Sequence, residues 1–260
     1  MAFRCSSCGY TSGKWMGFCP DCRAEAPLQE ESQTPHRRVV APEAIPLGKI
    51  NDAAQTRRPI GIKELDRVLG GGLVDGSVVL IGGEPGVGKS TLALQAALQV
   101  ADNGGRSLVV TAEESAEQVA LRADRLRWSQ ADSRDHVLLL ADDDLDRVIA
   151  AADDVRPDLL VVDSIQTISS SQSEGAPGGP AQLRESAARL IRFAKERQVP
   201  IVLIGHVTKD GSLAGPKVLE HMVDVVLSFE GDPDLGLRAL RCMKNRFGAT
   251  HVVGMFEMSG

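Results

Sequence analysis

Short apolar runs alternate with helix-like stretches through most of the chain after residue 76. Predicted buried strands cover residues 77–81, 107–112, 136–140, 158–163 and 200–205. Apolar residues at spacings of three and four predict helices over 91–100, 115–128, 182–197 and from 144 onward. Because strands that alternate with helices form parallel sheets, the pattern predicts an α/β fold with a mostly parallel sheet flanked by helices.

Two further stretches extend this pattern at its ends. Residues 62–69 form a short amphipathic helix that is closed by three glycines, and residues 218–222 predict a helical turn. The last part of the chain predicts three successive strands over 223–229, 237–243 and 251–258. We therefore expect extra strands at one edge of the sheet.

The region before residue 59 has a different character. Residues 26–58 contain four prolines and several charged residues, and they show no lasting apolar periodicity, which is typical of a linker. The sequence therefore predicts a four-cysteine segment over residues 1–25, a linker over 26–58 and the α/β domain over 59–260, which the motifs described below liken to a RecA-like ATPase domain.

Composition limits the classes of function. The 260 residues are 43% hydrophobic and 25% charged, as in ordinary globular proteins, and the net charge of −6 predicts no global affinity for nucleic acid. A net negative charge does not exclude a local basic channel, because the distribution of charge matters more than its total. No segment approaches the roughly 18 apolar residues of a membrane span, and the N-terminus lacks the apolar core of a signal peptide, so we expect a cytoplasmic protein without a membrane partner.

Four of the five cysteines lie within the first 22 residues. They form two Cys-x2-Cys pairs separated by ten residues: Cys5, Cys8, Cys19 and Cys22. Two such pairs complete a tetrahedral four-sulfur shell, which favours structural zinc, with an iron–sulfur centre or two disulfides as alternatives. Trp15 and Phe18 are expected to supply a minimal core.

The glycine-rich segment after the first long strand has the spacing of a phosphate-binding loop. Its residues are Gly83, Glu84, Pro85, Gly86, Val87, Gly88, Lys89 and Ser90, followed by Thr91. Glycines let successive backbone N–H groups surround an anion, and the helix start adds the positive end of its dipole. Lys89 is expected on the β- and γ-phosphates and the Ser90 hydroxyl on Mg²⁺. A glycine-rich turn without a ligand is the alternative, but both flanks favour a nucleoside triphosphate site.

Three polar residues follow other predicted strands. Asp163 ends an apolar strand and is the expected second magnesium ligand, although an aspartate there also suits a helix cap. Glu113 is the expected general base because it lies nearest its strand end, whereas Glu113 and Glu114 could both simply open the next helix. His206 follows a third strand and is expected to sense the γ-phosphate, although a lone histidine is more often structural.

A basic run lies near the C-terminus. Arg238, Arg241, Lys244 and Arg246 have no acidic residue between them. The run leads into the pentad Lys244-Asn245-Arg246-Phe247-Gly248, which suits either a solvated strand edge or phosphate contacts with a neighbour's nucleotide or with DNA.

Taken together, these motifs resemble the bacterial RadA (Sms) family of RecA-like recombination ATPases. The resemblance rests on the four-cysteine finger, the stretch 61–73, the loop 83–91, and the segments 113–115, 163–167, 205–209 and 244–248. The pentad is the family's own signature and separates it from RecA itself.

The resemblance implies a homo-hexameric ring with ATP at subunit boundaries and single-stranded DNA in its channel. Lys89, Ser90 and Asp163 then serve ATP and Mg²⁺, while Lys244 and Arg246 act across the interface or contact DNA. The loops 169–180 and 208–216 face the DNA, with Lys209 and Lys217 as phosphate contacts. The implied activity is DNA-stimulated ATP hydrolysis that drives branch migration of branched DNA, alongside recombinase and replication proteins.

Family members usually continue into a domain that resembles the Lon protease, whereas this chain stops at Gly260. That departure puts stable ring assembly in doubt but leaves nucleotide binding intact. An alternative function is a nucleotide-gated assembly switch without motor activity, with the finger as a protein-docking module.

Overall fold

The computed structural model describes residues 3–25, 28–30, 46, 56–126, 131–170, 178–206, 218–231 and 236–257. The chain divides into two compact units, Met1–Asn51 and Asp52–Gly260. Each unit has its own sheet and its own buried residues, so each is described by itself.

The first unit is a small antiparallel sheet beside the four cysteines. Its strands are β1 (Phe3–Arg4), β2 (Thr11–Ser12) and β3 (Gln29–Glu30), in the order β2-β1-β3. The buried residues are Cys5, Cys19 and Leu28. The expectation that Trp15 and Phe18 form the core is wrong, since their exposed fractions are 63% and 60%. The interior is formed instead by Cys5, Cys19 and Leu28, with Phe3, Met16 and Ala24 packed against them.

Strand β3 and Leu28 lie beyond residue 25, where the sequence placed the linker. Leu28 is 1% exposed and its N–H donates to the carbonyl of Met16 at 3.0 Å, which ties this segment to the finger. A two-residue strand contains too few positions to show alternation, so the apolar pattern gave no sign of it.

The second unit begins with a small hairpin-like pair around a helix. Strand β4 (Arg57–Arg58) pairs with β5 (Leu73–Val74), and α1 (Lys63–Leu69) lies between them in sequence. The Asp66 carboxylate accepts the N–H groups of Ile60 and Gly61 at 2.8 and 2.9 Å, which fixes the entry to α1. Strand β4 also lies inside the predicted linker, for the same reason of length.

The remaining elements alternate as the apolar pattern predicts. They are β6 (Val78–Gly83), α2 (Lys89–Asp102), β7 (Ser107–Thr111), α3 (Ala116–Arg125), β8 (Val137–Ala141), α4 (Leu145–Val155), β9 (Leu159–Asp163), α5 (Pro180–Arg197), β10 (Ile201–His206), α6 (Val218–Met222), β11 (Val225–Gly231), β12 (Leu237–Asn245) and β13 (Val253–Glu257). Helix α4 starts after Asp144, whose carboxylate accepts two backbone N–H groups, a cap that stabilises a helix by about 1 kcal/mol.

Eight of these strands form one sheet in the order β13-β12-β11-β6-β10-β9-β7-β8. The six strands from β11 to β8 are parallel, and β12 and β13 add to β11 in antiparallel fashion. The predicted α/β fold with a mostly parallel sheet and extra edge strands is therefore confirmed.

Both faces of this sheet are covered by apolar side chains. One hydrophobic layer joins the sheet to α1, α2 and α3, and the other joins it to α4, α5 and α6. Strands such as β6 and β9 are continuously apolar because both of their faces are buried. The core thereby fixes the strand ends, where the polar residues of interest lie. In the part of the chain that the structure describes, no helix has the length and apolarity to cross a membrane.

Candidate ATPase site and metal finger

The polar residues that follow four strands meet at one edge of the sheet. Strands β6, β10, β9 and β7 are adjacent and parallel, so their carboxyl ends coincide. In register, Gly83 pairs with His206, and Thr111 pairs with Asp163, so that Glu113 follows beside Asp163. Ligands of open parallel sheets bind at this edge.

The phosphate loop is the segment between β6 and α2. Gly86 and Gly88 have φ values of 80° and 108°, which favour glycine, and these turns bring the chain back to the start of α2. At Gly83, a side chain is excluded because its Cβ would lie 2.3 Å from the carbonyl oxygen of Phe229. The loop therefore needs glycine for space as well as for conformation. Thr91 lies in the first turn of α2, half-buried.

Lys89 is buried beneath this loop. Its exposed fraction is 4%, and its Nζ donates to the carbonyl oxygens of Gly83 and Glu84, each at 2.9 Å. Burial lowers the pKa of Lys89, and the nearby carboxylates of Asp163 and Glu113 partly oppose that shift. An anionic phosphate beside the ammonium would act in the same direction as these carboxylates, which suits Lys89 to its predicted role.

Asp163 and Ser90 form the pair expected to hold magnesium. The Ser90 hydroxyl hydrogen-bonds the Asp163 carboxylate. Burial raises the pKa of Asp163, and the carboxylates of Glu113 and Glu114 add to the rise, against the Ser90 hydrogen bond. A hard divalent cation with oxygen ligands would stabilise the ionised form. The residues present therefore fit Mg²⁺.

Glu113 lies where a general base is expected. The Ser164 hydroxyl donates to Glu113 Oε1 at 2.6 Å, and His206 Nε2 lies 3.5 Å from the same oxygen. The neighbouring Glu114 instead forms an ion pair with Arg122, and its backbone is bound by Thr111. Both glutamates raise the pKa of Asp163, but only Glu113 also acts on Lys89 and binds Ser164.

The start of α3 does not need either glutamate. Ser115 caps the helix through a reciprocal capping box with Gln118. This arrangement weakens the alternative that the two glutamates serve only to open α3.

His206 bridges two parts of the site. Its backbone pairs with Gly83 in the sheet, and its Nε2 faces Glu113. Its Nδ1 is buried, without a hydrogen-bond partner in the described part of the chain. Residues 207–217, which include the predicted DNA contacts Lys209 and Lys217, lie outside the described residues, as does most of the predicted DNA loop 169–180.

The pentad lies at the opposite edge of the same sheet. Asn245 pairs with Val225 and Lys244 pairs with Val226, near the amino end of β11, which runs parallel to β6. Strand β6 is six residues long and ends at the phosphate loop, so the two edges are about 17 Å apart at 3.3 Å per residue. Lys244 and Arg246 therefore lie far from the phosphate loop of their own chain.

Backbone carbonyls hold the two pentad cations in place. Lys244 Nζ donates to the carbonyls of Glu220, His221 and Val223, at 2.7, 3.3 and 2.7 Å. Arg246 forms an ion pair with Asp224 at 3.1 Å.

The basic run in the sequence divides into separate roles. Arg238 Nε donates to the carbonyl of Val87 at 3.2 Å and so steadies the phosphate loop, while Arg241 pairs with Glu230 at 3.2 Å. Sequence reasoning missed Ser164, Arg122 and the loop contact of Arg238. Only Ser164 had a signal, as a small polar residue directly after a predicted strand-end acid.

The four finger cysteines converge on one point. Their sulfur atoms all lie within 4.8 Å of one another, with Cys5 Sγ 3.7 Å from Cys22 Sγ and Cys8 Sγ 3.6 Å from Cys19 Sγ. A tetrahedral site with Zn–S bonds of about 2.3 Å places sulfurs about 3.8 Å apart, whereas a disulfide needs about 2.05 Å. The geometry fits a four-sulfur metal site and not the disulfide alternative.

Electrostatics within the finger point the same way. The backbone N–H groups of Cys8 and Ser7 lower the pKa of Cys5 to about 6. The N–H of Tyr10 lowers the pKa of Cys8, but burial and the neighbouring sulfurs outweigh it and raise that pKa to about 12. Four thiolates cannot share this space without a cation, and zinc supplies that charge.

Comparison with known families agrees with both units. The sequence profile described as "AAA domain" matches residues 46–212, and the profile described as "Rubredoxin metal binding domain" matches residues 3–26. The first match spans the phosphate loop, Glu113, Asp163 and His206, and the second contains all four finger cysteines.

Curated relatives resemble the chain over nearly its whole length. The chain is 47% identical to the DNA repair protein RadA of Pseudomonas aeruginosa over 99% of its residues, and 47% identical to that of Mycobacterium tuberculosis H37Rv over 98%. Identity to the DNA repair protein RadA of Bacillus subtilis is 44% over 98%. The chain spans 57%, 54% and 57% of these relatives, about half of their length.

Proposed function

We infer that this chain, which belongs to the RadA group of AAA-domain ATPases, hydrolyses ATP at the carboxyl edge of its sheet and uses that reaction in DNA repair. One observation carries the inference. The ends of four adjacent strands bring together the glycine-rich loop, an aspartate beside Ser90, a glutamate held by a serine, and a histidine. Each of these groups has a defined task in phosphoryl transfer.

In the reaction we propose, Glu113 accepts a proton from a water molecule. The water oxygen then forms a bond to the γ-phosphorus, while the bond from that phosphorus to the bridging oxygen breaks and ADP leaves. Lys89 balances the charge of the phosphate oxygens, and Ser164 keeps the Glu113 carboxylate oriented toward the water. His206 is the last residue of β10, the strand that leads to the loop 208–216, and its Nε2 faces Glu113. In this position it senses the γ-phosphate.

Mg²⁺ is the cation that Ser90 and Asp163 fit. It would neutralise charge on the transferred phosphoryl group, which is the usual contribution of a metal in such sites. Within the protein, the Ser90 hydrogen bond partly offsets the rise in the pKa of Asp163 that burial causes.

We further propose that Lys244 and Arg246 complete the site of a neighbouring subunit in a homo-hexamer. The charged groups of both cations bind residues 220–224 at the amino edge, about 17 Å from the phosphate loop of their own chain along β6, so they are too far away to serve it. Cations supplied by a neighbour raise turnover in related phosphoryl-transfer systems.

Single-stranded or branched DNA is the proposed substrate of the assembled protein, with branch migration as the proposed work. The relatives are described as DNA repair proteins, and such DNA lies in the bacterial cytoplasm, where we place the activity. Recombinase and replication proteins are the proposed partners. Lys209 and Lys217 are the proposed phosphate contacts, and binding through them should weaken as salt is added.

The central test is ATP hydrolysis with and without single-stranded DNA. We expect DNA to stimulate turnover, and Lys89→Ala to abolish both basal and stimulated rates because its ammonium is lost from the loop. Stimulation that survives in Lys89→Ala would trace the activity to a contaminant. DNA binding that is undetectable at every salt concentration would reject the motor proposal.

Mixing two inactive variants tests the action between subunits. Lys89→Ala lacks a working loop but keeps its pentad, and Lys244→Ala lacks a pentad cation but keeps its loop. If the cations act on a neighbour, random co-assembly restores about a quarter of the intact sites. No restored turnover in mixtures that co-assemble would show that the cations act within their own chain.

A second function is supported by the finger surface. Trp15 and Phe18 are exposed, and exposed aromatic side chains are typical of protein interfaces. On this alternative the chain is a nucleotide-gated assembly switch, with the finger as its docking module. Tight ATP-dependent assembly together with DNA-independent, very slow turnover would favour the switch over the motor.

A further inference from the structure

Asp224 lies between α6 and β11, at the amino edge of the sheet, and it is 5% exposed. On one side it binds the first residue of β6. The Asp224 N–H donates to the carbonyl of Val78 at 3.0 Å, and the Val78 N–H donates to Asp224 Oδ2 at 3.1 Å. These two bonds join Asp224 firmly to the start of the strand that ends in the phosphate loop.

On its other side Asp224 binds the pentad. The Arg246 N–H donates to the carbonyl of Asp224 at 3.1 Å, and Arg246 Nη1 donates to Asp224 Oδ1 at 3.1 Å. Arg246 Nη2 donates in turn to the carbonyl of His221 at 3.2 Å. The two carboxylate oxygens are therefore divided, one on the strand and one on the arginine, and the guanidinium plane is fixed at two points.

The charges around this carboxylate favour the same conclusion. Burial lowers the pKa of Lys244, and the positive charge of Arg246 lowers it further, whereas Asp224 and Glu220 oppose both effects. Asp224 is thus the buried anion between two cations that would otherwise repel each other. Its side chain is 7% exposed while that of Arg246 is 46% exposed, so the arginine is anchored from within and still reaches solvent.

We propose that Asp224 is a positioning residue that sets Arg246 for the neighbouring active site and ties it to β6. The proposal rests on the inter-subunit role of the pentad argued above. Through Asp224, the amino end of β6 holds the groups offered to a neighbour, and the carboxyl end of the same strand carries the chain's own phosphate loop. One rigid strand then connects two successive sites of the assembly.

A matched carboxylate lies at the same edge of the sheet. Asp158 Oδ2 accepts the N–H of Arg106 at 2.9 Å, next to the start of β7, and its Oδ1 accepts Arg58 Nη1 at 3.0 Å. It repeats the bonding of Asp224, one backbone N–H and one arginine, but its arginine lies outside the pentad. Asp158→Asn therefore controls for the loss of a structural carboxylate, although its side chain is more exposed, at 45%.

The experiment compares DNA-stimulated turnover of the full chain in Asp224→Asn, Asp158→Asn, Arg246→Ala and the double variant Asp224→Asn/Arg246→Ala. We expect Asp224→Asn to lower kcat about tenfold with the KM for ATP unchanged, because only the presentation of Arg246 is lost. Asp158→Asn should keep the wild-type kcat. The double variant should match Arg246→Ala alone, since Asp224 acts through that arginine.

Co-assembly separates positioning from damage to β6. Lys89→Ala subunits carry an intact Asp224 and pentad, so mixing them with Asp224→Asn should raise turnover per intact loop about fivefold over that of Asp224→Asn alone. If Asp224→Asn instead harms its own phosphate loop through β6, mixing will not restore the rate, and the proposal is wrong. A further fall in the double variant, or wild-type turnover in Asp224→Asn, would overturn it as well.

A different result would show that the pentad has no inter-subunit role at all. Wild-type turnover in both Arg246→Ala and Lys244→Ala would reject the inter-subunit role itself, and the positioning role with it. If Asp224→Asn does not fold, Arg246→Lys supplies the test, because the variant keeps the charge but a single ammonium cannot reproduce the two-point contact with Asp224 and His221. Wild-type turnover in Arg246→Lys would then refute the proposal, and a loss of kcat with unchanged KM would support it.

Discussion

The two edges of the central sheet hold their charged side chains in different ways. At the carboxyl edge, Asp163 and Glu113 each accept a serine hydroxyl, and they lie near one another and near Lys89. At the amino edge, Lys244 and Arg246 donate to fixed backbone carbonyls and to a buried aspartate. The acidic residues of the first edge are thus held by serine hydroxyls, whereas the cations of the second edge are held by backbone carbonyls and, for Arg246, also by the Asp224 carboxylate.

This difference suits the carboxyl edge to binding a ligand of its own chain, and the amino edge to offering fixed cations to the ligand of another subunit. Burial lowers the pKa of Lys89 and raises that of Asp163, so both charged forms are disfavoured until an anion and a cation arrive. At the amino edge burial lowers the pKa of Lys244 as well, but three carbonyls accept hydrogen bonds from its ammonium, and an ion pair holds Arg246. Changes at the first edge should therefore alter chemistry within a subunit, and changes at the second should alter chemistry in its neighbour.

The largest effect is expected at the carboxyl edge, from Glu113→Gln. This change keeps the size and the contact with Ser164 but removes the proton acceptor, so kcat should fall about 10³-fold while ATP affinity stays within about threefold. Single-turnover kinetics and equilibrium nucleotide binding measure the two quantities separately.

Glu114→Gln is the matched control for that change. Its carboxylate is engaged by Arg122, so its loss should reduce turnover far less than the loss of Glu113. If Glu114→Gln proves the more damaging of the two, the roles assigned to the adjacent glutamates must be exchanged.

At the amino edge, Lys244→Ala should lower kcat about 100-fold, on the scale of losing one preorganised charge from a transition state. ATP affinity should stay the same, because the chain's own phosphate loop is at the other edge. Melting temperature should also fall, since the carbonyls of Glu220, His221 and Val223 lose their shared donor. Arg241→Ala, on the same strand but paired with the exposed Glu230, should leave turnover unchanged. Equal losses in both variants would mean that β12 as a whole, and not Lys244, governs the rate.

Ser164→Ala tests the contact that holds the general base. Removal of one hydrogen bond to a charged group is expected to lower kcat about tenfold, with little change in KM. Ser164 is fully buried, so its hydroxyl is not readily replaced by solvent. Unchanged turnover would indicate that Glu113 needs no support from β9.

The carboxyl edge was accessible to sequence reasoning because it depends on strand ends. An apolar run shows where a buried strand ends, and parallel strands place those ends side by side, so Gly83, Glu113, Asp163 and His206 could be grouped before the fold was known. The confirmed order of helices and strands follows from the same periodicity. Their roles in hydrolysis remain predictions.

The remaining features depend on contacts between distant parts of the chain. Asp224 meets Val78 across 146 residues, and Arg238 meets Val87 across 151, and no local pattern reports such pairs. The prediction of the finger's core was wrong for another reason. Apolar rings usually indicate a core, but here the buried residues are two cysteines and Leu28, and Trp15 and Phe18 are exposed.

A smaller effect concerns stability. Burial raises the pKa of Asp163 in the folded state, so its ionised form opposes folding above that raised pKa, and the cost disappears as pH falls below the ordinary value. Without Mg²⁺ and nucleotide, Asp163→Asn should therefore melt a few degrees higher than the wild type at pH 8, and the difference should shrink toward zero in acid. Thermal unfolding across this pH range measures it, and a lower melting temperature for the variant at pH 8 would contradict the electrostatic argument.

The smallest effect is expected from the substitution Arg238→Gln. Arg238 connects the strand that carries Lys244 to the phosphate loop. Arg238 lies on β12, the strand that also carries Lys244, but its Nε donates to the carbonyl of Val87 within the loop. Loss of this donor should raise the KM for ATP two- to threefold, about the value of one hydrogen bond at a partly exposed site, with kcat unchanged. If Arg238 instead belonged with the pentad cations, the variant would lose kcat and keep its KM. Because the loop is also closed by Lys89 and by its own glycines, Arg238 adjusts the geometry of a site that the rest of β6 already defines.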